Sequence, residues 1–131
     1  MSEIEENKTI SKGAKITGWI MTIVPVLIFI MSASFKFIQP GQDFVDGIKH
    51  LGWELRPVFI LGFVEVAYAI IYLIPKTSVL GAVLLTAYMG GAIATHARIG
   101  EPFIAQILIG MMIWGGLYFR DLRIRRLLPF N

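Results

Sequence analysis

The sequence contains no cysteine, and this absence removes a whole set of chemistries. Disulfides, thiol redox reactions, iron–sulfur ligation and cysteine-based zinc sites all require thiolates. Histidine is almost as scarce, because His50 and His96 are the only two in the chain. Neither histidine has a carboxylate at a spacing typical of metal ligands. We therefore expect no metal site, and the residues identify no cofactor.

Charged residues are the second scarcity, at 16% of the chain, whereas 56% of the residues are hydrophobic and the mean hydropathy is +0.69. A soluble domain carries about a quarter charged residues. The net charge of +3 lies largely near the two ends of the chain. Because no continuous basic face with interleaved aromatics exists, nucleic acid is not an expected partner. The expected partner is a lipid bilayer.

Four long segments have few or no charged residues, and each approaches the length of helix that crosses a bilayer's ~30 Å hydrocarbon core at ~1.5 Å per residue. The predicted spans are residues 16–37, 57–74, 77–96 and 103–119. They lie in one domain, residues 16–128, after a polar N-terminal tail, residues 1–15. The expected fold is an all-α membrane protein, a bundle of four transmembrane helices.

The only long connection between spans is residues 39–56. Its apolar residues Phe44, Ile48 and Leu51 recur at roughly helical spacing, opposite Asp43 and Asp46. This pattern predicts a short amphipathic helix at the membrane interface between spans one and two.

Lysine and arginine are distributed unequally between the two sides of the predicted bundle. The side with both termini and the turn at Lys76 carries eight of them, and the opposite side carries four. The excess of positive charge on the cytoplasmic side of membrane proteins therefore predicts that both termini are cytoplasmic.

Small residues recur along span three and predict close contact with another helix. The expected packing residues are Ala82, Thr86, Gly90, Gly91 and Ala94. On this pattern span three should be the most enclosed helix, and Gly90→Leu should destabilise the bundle.

Glu65 lies about halfway along span two, where an ionised and unpaired carboxylate costs on the order of 3 kcal/mol. It can bind a ligand's polar group or a proton, or it can be a structural acid bonded to a neighbouring helix. Tyr68 shares its helix face. Lys36, near the outer end of span one, can either face Glu65 or extend to the interface. A direct ion pair would need a helix tilt, a kink at Pro25 or a bridging water.

Other polar residues end span three on the same outer side as Lys36. His96 can contact a ligand or can cap the bundle with a hydrogen bond. The candidate ligand-binding set, taken together, comprises Lys36, Glu65, Tyr68, Thr95, His96 and Arg98. We expect these side chains to line one outward-opening polar cavity.

Three runs of sequence resemble the DoxX-like integral membrane proteins. They are LIPKT at residues 73–77, TAYMGGAIATHAR at residues 86–98 and WGGLYFRD at residues 114–121. The resemblance implies a four-helix protein of the bacterial inner membrane. The wider group includes proteins linked to quinone-dependent redox complexes, so the resemblance also allows a quinone as ligand.

Two functions of different classes follow. The first is binding of a small amphipathic molecule, a quinone or a lipid-like compound, in a polar pocket between the helices. The second is a non-catalytic accessory or assembly subunit that docks a membrane protein partner or a second copy of the chain. An enzyme is disfavoured, because no nucleophile–base pair and no nucleotide loop can be identified. A transporter is also disfavoured, because no inverted repeat is visible.

Overall fold

The computed structural model describes residues 10–127, and within this range the backbone is helical and contains no strand. In chain order, the helices are α1 (Lys12–Ile38), α2 (Gly41–His50), α3 (Leu55–Leu73), α4 (Ser78–Arg98), α5 (Ile104–Arg120) and α6 (Leu122–Leu127). Residues 1–9 of the expected tail and residues 128–131 lie outside the described part of the chain. The all-α prediction is confirmed.

Three of these helices, α1, α3 and α4, are long and apolar enough to cross a membrane. The fourth apolar helix, α5, is shorter at 17 residues. Helix α1 begins at Lys12, inside the segment expected to be a polar tail, because the Ser11 side chain accepts a hydrogen bond from the Ala14 N–H at 3.1 Å. Such an N-cap satisfies a backbone donor that the first helical turn leaves free.

The four longer helices pack side by side. Helices α1 and α4 each contact both α3 and α5. Several large side chains are fully buried in the half of the bundle that carries the termini: Tyr72, Leu85, Ile113 and Leu117. Tyr72 is fully buried and donates a hydrogen bond to the Ile113 carbonyl at 2.6 Å. This end of the bundle is therefore filled.

Glycines permit the closest helix contacts at this filled end. A Cβ at Gly81 would overlap the backbone of Tyr72, so α4 approaches α3 directly at that point. A Cβ at Gly18 would lie 2.9 Å from the Gly116 carbonyl oxygen, which marks a similar approach of α1 to α5. Small residues allow backbones to approach in this way in membrane bundles.

The close contact predicted for Gly90 and Gly91 is absent. No atom lies within 4 Å of a Cβ built at either glycine, and both glycines are exposed. Ala82 is fully buried, whereas Thr86 and Ala94 are exposed. Residues spaced by four advance about 40° too far around a helix of 3.6 residues per turn. The row therefore begins on the contact face and turns away from it before it reaches Gly90.

The prediction that span three is the most enclosed helix is also wrong. Five of the 21 residues of α4 are buried, against five of the 19 residues of α3. Helix α1 packs more extensively than α4 against both α3 and α5 and so takes the central position.

Arg120 closes the filled end of the bundle. Its Nε donates to the Thr22 hydroxyl at 2.9 Å, and its Nη2 donates to the Tyr72 carbonyl at 3.2 Å. Its guanidinium also lies 4.5 Å from the centre of the Trp19 ring, within the range of a cation–π interaction. Arg120 thus ties α5 to both α1 and α3.

The segment after α5 forms the short helix α6, which the sequence did not predict. Arg123 Nη2 donates to Asp121 Oδ2 at 2.7 Å and to the Pro75 carbonyl at 2.7 Å, so α6 is attached to the turn between α3 and α4. Burial alone would raise the pKa of Asp121, but hydrogen bonds from Arg123 and the charges of Arg123 and Arg120 outweigh it, and the pKa is lowered.

Candidate functional site

A cavity of about 420 Å³ occupies the opposite end of the bundle, between α1, α3, α4 and α5. Most of its wall is apolar, including Phe29, Val58 and Ile109. The polar side chains on the wall are Ser32, Lys36, Glu65, Tyr88, Thr95, His96 and Gln106. A concave apolar space with a few converging polar groups has the general form of a small-molecule site.

Glu65 is the polar centre of this cavity and is only 2% exposed. Its Oε1 atom accepts hydrogen bonds from Lys36 Nζ at 2.8 Å, from the Ser32 hydroxyl at 3.1 Å and from the Tyr88 hydroxyl at 2.5 Å. Lys36 Nζ also donates to the Ser32 hydroxyl at 2.6 Å. Donors from α1 and α4 therefore meet on one carboxylate oxygen of α3.

The contact between Lys36 and Glu65 is direct, and the lysine turns inward although it lies near the end of α1. The neighbouring side chain explains why. The ring of Phe37 packs against Gly62, where a Cβ would lie 2.7 Å from the ring. This close contact places the last turn of α1 beside the turn of α3 that precedes Glu65. Ser32 and Lys36 are four residues apart, so both face the carboxylate.

Two buried acceptor atoms on the cavity wall have no hydrogen-bond partner. They are Glu65 Oε2 and Gln106 Oε1, and they are the only such side-chain atoms in residues 10–127. Both residues line the same cavity. Buried polar groups usually find a partner, so two unpartnered acceptors at one cavity form an unusual arrangement.

The structure brings four of the six candidate residues to the cavity: Lys36, Glu65, Thr95 and His96. In two of them, a polar side-chain atom forms a hydrogen bond with a backbone carbonyl of the same helix. The Thr95 hydroxyl donates to the Gly91 carbonyl at 2.8 Å, and His96 Nδ1 donates to the Ala92 carbonyl at 2.9 Å. These bonds engage the Thr95 hydroxyl hydrogen and one of the two ring nitrogens of His96.

The other two candidates lie elsewhere. Tyr68 packs against the apolar core and does not line the cavity. Arg98 donates to the Leu51 carbonyl, and so holds the turn that follows α2. Sequence spacing placed both residues at the correct level of the bundle, but it could not fix the direction of their side chains.

Helix α2 and its following turn lie over the cavity. Ile48, Leu51 and Trp53 form part of the wall. A second polar contact, in addition to the bond from Arg98, joins α2 to the turn between α4 and α5. In this contact His50 Nε2 lies 2.5 Å from Glu101 Oε1. Both polar contacts are exposed. They hold α2 and the turn after it in place at the edge of the cavity, and most of the cavity wall is apolar.

The comparison with known families agrees with this architecture. The sequence model of the DoxX-like family matches residues 20–116. The chain belongs to the DoxX-like family. It is therefore a membrane protein, and the membership of this family predicted from the three sequence runs is confirmed. The DoxX-like match includes every polar residue of the cavity wall. Searches of curated proteins and of solved structures found no match.

Three polar residues of this DoxX-like cavity were not among the candidates: Ser32, Tyr88 and Gln106. Ser32 could have been found from its spacing of four residues from Lys36. Tyr88 is seven residues from Thr95 on one helix face, a spacing that predicts that both line the same cavity, and both do lie on its wall. Gln106 carries no comparable spacing signal in the sequence. Within residues 10–127, no group of three or more His, Asp or Glu side chains is placed to hold a metal.

Proposed function

We propose that this protein binds a small amphipathic molecule, quinone-like or lipid-like, in the cavity between α1, α3, α4 and α5. The observation that carries the proposal is Glu65, a buried carboxylate with one unpartnered oxygen on the wall of a largely apolar space of about 420 Å³. Ligand sites commonly have volumes of ~300–1,000 Å³. The apolar wall suits a hydrocarbon part, and Glu65 with Lys36 suits a polar head.

The proposal includes an orientation in a bacterial inner membrane. Helices α1, α3, α4 and α5 each cross the bilayer, both termini are cytoplasmic, and α2 lies at the outer interface. The supporting features are the eight-to-four excess of Lys and Arg on the side of the termini and the apolar face of α2. The 17 residues of α5 span about 25 Å, close to a hydrocarbon core. The cavity then opens outward beneath α2.

Reporter fusions test this orientation. A reporter fused after Lys49 should lie outside the cytoplasm, and one fused after Leu127 should lie inside it. Two reporters in the same compartment would refute the four-span arrangement.

Two neighbouring glycines provide a matched test of the binding site. Gly91 lines the cavity and Gly90 does not, yet neither has an atom within 4 Å of a built Cβ. A leucine at Gly91 therefore extends into the cavity without meeting the backbone, whereas a leucine at Gly90 extends away from it. Both substitutions also replace glycine with a better helix former.

The measurement is mass spectrometry of the organic extract of each purified variant. The wild-type protein and Gly90→Leu should retain the same amphipathic molecule, and Gly91→Leu should lose it. Equal retention by Gly91→Leu would show that the molecule binds elsewhere, as bulk lipid does.

A second proposal is an accessory role, in which α4 docks a membrane protein partner or another copy of the chain. The exposed small residues Gly90 and Ala94, with open space beside Gly90, favour it. Cross-linking in native membranes tests this role. Gly90→Leu should then abolish the cross-linked species while the ligand is retained, and an unchanged cross-link would exclude this face.

A further inference from the structure

Some hydrogen-bond acceptors on the cavity wall have no donor. Three donors, from Lys36, Ser32 and Tyr88, all meet Glu65 at Oε1. Glu65 Oε2 and Gln106 Oε1 remain buried and unpartnered on the same wall. Two hydrogen-bond acceptors of the protein therefore lie at the cavity without a donor.

An unpartnered acceptor in a buried place is unfavourable, and most of all when it belongs to a charged group. Glu65 Oε1 lies 2.8 Å from Lys36 Nζ in an ion pair. In a carboxylate that is paired in this way, both oxygens accept hydrogen bonds and neither donates one. A molecule that completes this site must therefore supply hydrogen atoms.

We infer that the head of the bound molecule is a hydrogen-bond donor, a phenolic or alcoholic hydroxyl that donates to Glu65 Oε2, with Gln106 Oε1 available to a second hydroxyl. The inference rests on the proposed function, because it concerns the same cavity. It makes the site selective. Molecules with the same apolar part but only acceptor oxygens, such as ethers, esters and oxidised quinones, should bind more weakly than their hydroxyl-bearing counterparts.

The selectivity can be measured with pairs of probes that differ only in the donor. One pair is 4-octylphenol and its methyl ether, and the other is 1-monooctanoylglycerol and its dimethyl ether. The first represents an aromatic, hydroquinone-like head, and the second represents a lipid glycerol head. Whichever hydroxyl probe binds more tightly identifies the source of the donor.

Trp53 gives the signal, because it lies on the cavity wall and its fluorescence should respond to an occupant. The full chain in lipid nanodiscs is titrated with each probe, and Trp53→Phe supplies the background from the other tryptophans. We expect the hydroxyl probe to bind at least about tenfold more tightly than its ether, since a hydrogen bond to a charged acceptor is lost.

Glu65→Gln should change this preference in a defined way. The glutamine oxygen can still accept from Lys36, Ser32 and Tyr88, which leaves an NH₂ group at the position of Oε2. That group donates and cannot accept, so the tenfold preference should disappear or reverse in favour of the ether. Gly90→Leu is the control, because Gly90 does not line the cavity and the substitution leaves Glu65 and its three donors unchanged. Its preference for the hydroxyl probe should stay within about twofold of the wild type.

The outcomes separate the inference from the proposed function. If the wild-type protein binds hydroxyl and ether equally, water satisfies Glu65 Oε2 and the donor inference fails, while the binding function stands. If it binds neither probe of either pair, the proposed function fails as well. Should Glu65→Gln not fold, the wild-type ratio of the two Kd values still decides the question.

Discussion

Replacing Lys36 or Glu65 singly and together tests whether the pair at the cavity is charged and buried. Lys36→Met keeps most of the length of the side chain and removes the ammonium group. Glu65→Leu removes the carboxylate and keeps a similar bulk. The two partners differ in burial, with Glu65 at 2% and Lys36 at 17% of side-chain exposure, so the two losses should differ.

Lys36→Met leaves a buried carboxylate that keeps only the Ser32 and Tyr88 hydroxyls as partners. Removing one member of a buried ion pair costs about 3–5 kcal/mol. We therefore expect Lys36→Met to lower the free energy of unfolding by about 3 kcal/mol at pH 7.

Glu65→Leu leaves a lysine close to the end of α1, where the ammonium group can turn toward the interface. The remaining loss is that of hydrogen bonds, about 1–2 kcal/mol. The double variant Lys36→Met/Glu65→Leu should be no less stable than Glu65→Leu, because apolar residues replace a buried pair at little net loss.

The free energy of unfolding of the four proteins, measured in one detergent or bicelle system, closes a double-mutant cycle. The expected order of stability places Lys36→Met last, below both Glu65→Leu and the double variant. A Lys36→Met variant as stable as Glu65→Leu would refute the reasoning, because loss of the lysine would then leave no uncompensated buried charge at Glu65.

Two further predictions concern the filled end of the bundle. Gly81→Ala should lower the free energy of unfolding by about 1–3 kcal/mol, because its Cβ meets the backbone of Tyr72, whereas Gly90→Ala should be neutral or slightly stabilising; equal effects in thermal unfolding would contradict this contact. The pKa of Asp121 is lowered in the folded protein, so its contribution to stability is present above the unfolded value of about 3.9 and is lost as the pH falls further. Asp121→Asn should therefore be less stable than the wild type at pH 7 and lose less stability between pH 5 and pH 3, and parallel pH profiles would show that the bond to Arg123 adds nothing.

The helices could be predicted from the sequence because the bilayer imposes a simple rule on composition. A run of uncharged residues long enough for the hydrocarbon core must satisfy its backbone internally, and a helix does so. The predicted spans accordingly match α1, α3, α4 and α5 to within a few residues. The predicted and observed ends differ where a local contact fixes the end of a helix. At Ser11, for example, the side chain caps α1 before the apolar run begins.

The site was predictable only in part, because its geometry depends on how far one helix slides along another. Lys36 and Glu65 could be assigned to neighbouring helices, but their direct contact depends on the approach of Phe37 to Gly62. That approach joins residues distant in the chain and leaves no periodic signal. Arg98 illustrates the same limit, since its level in the bundle was predictable and its bond to Leu51 was not.

Small residues in a membrane helix have two opposite uses, and spacing alone does not separate them. A glycine can admit a neighbouring backbone, as Gly81 does, or it can leave a space unfilled, as Gly91 does at the cavity wall. At a glycine of the first kind, a larger side chain should destabilise the fold. At a glycine of the second kind, it should fill the space and leave the fold intact. Gly81 and Gly91 are ten residues apart on α4, so one helix serves both purposes. The half of the bundle at Gly81 is closed by direct contact between helix backbones, and the half at Gly91 contains the cavity.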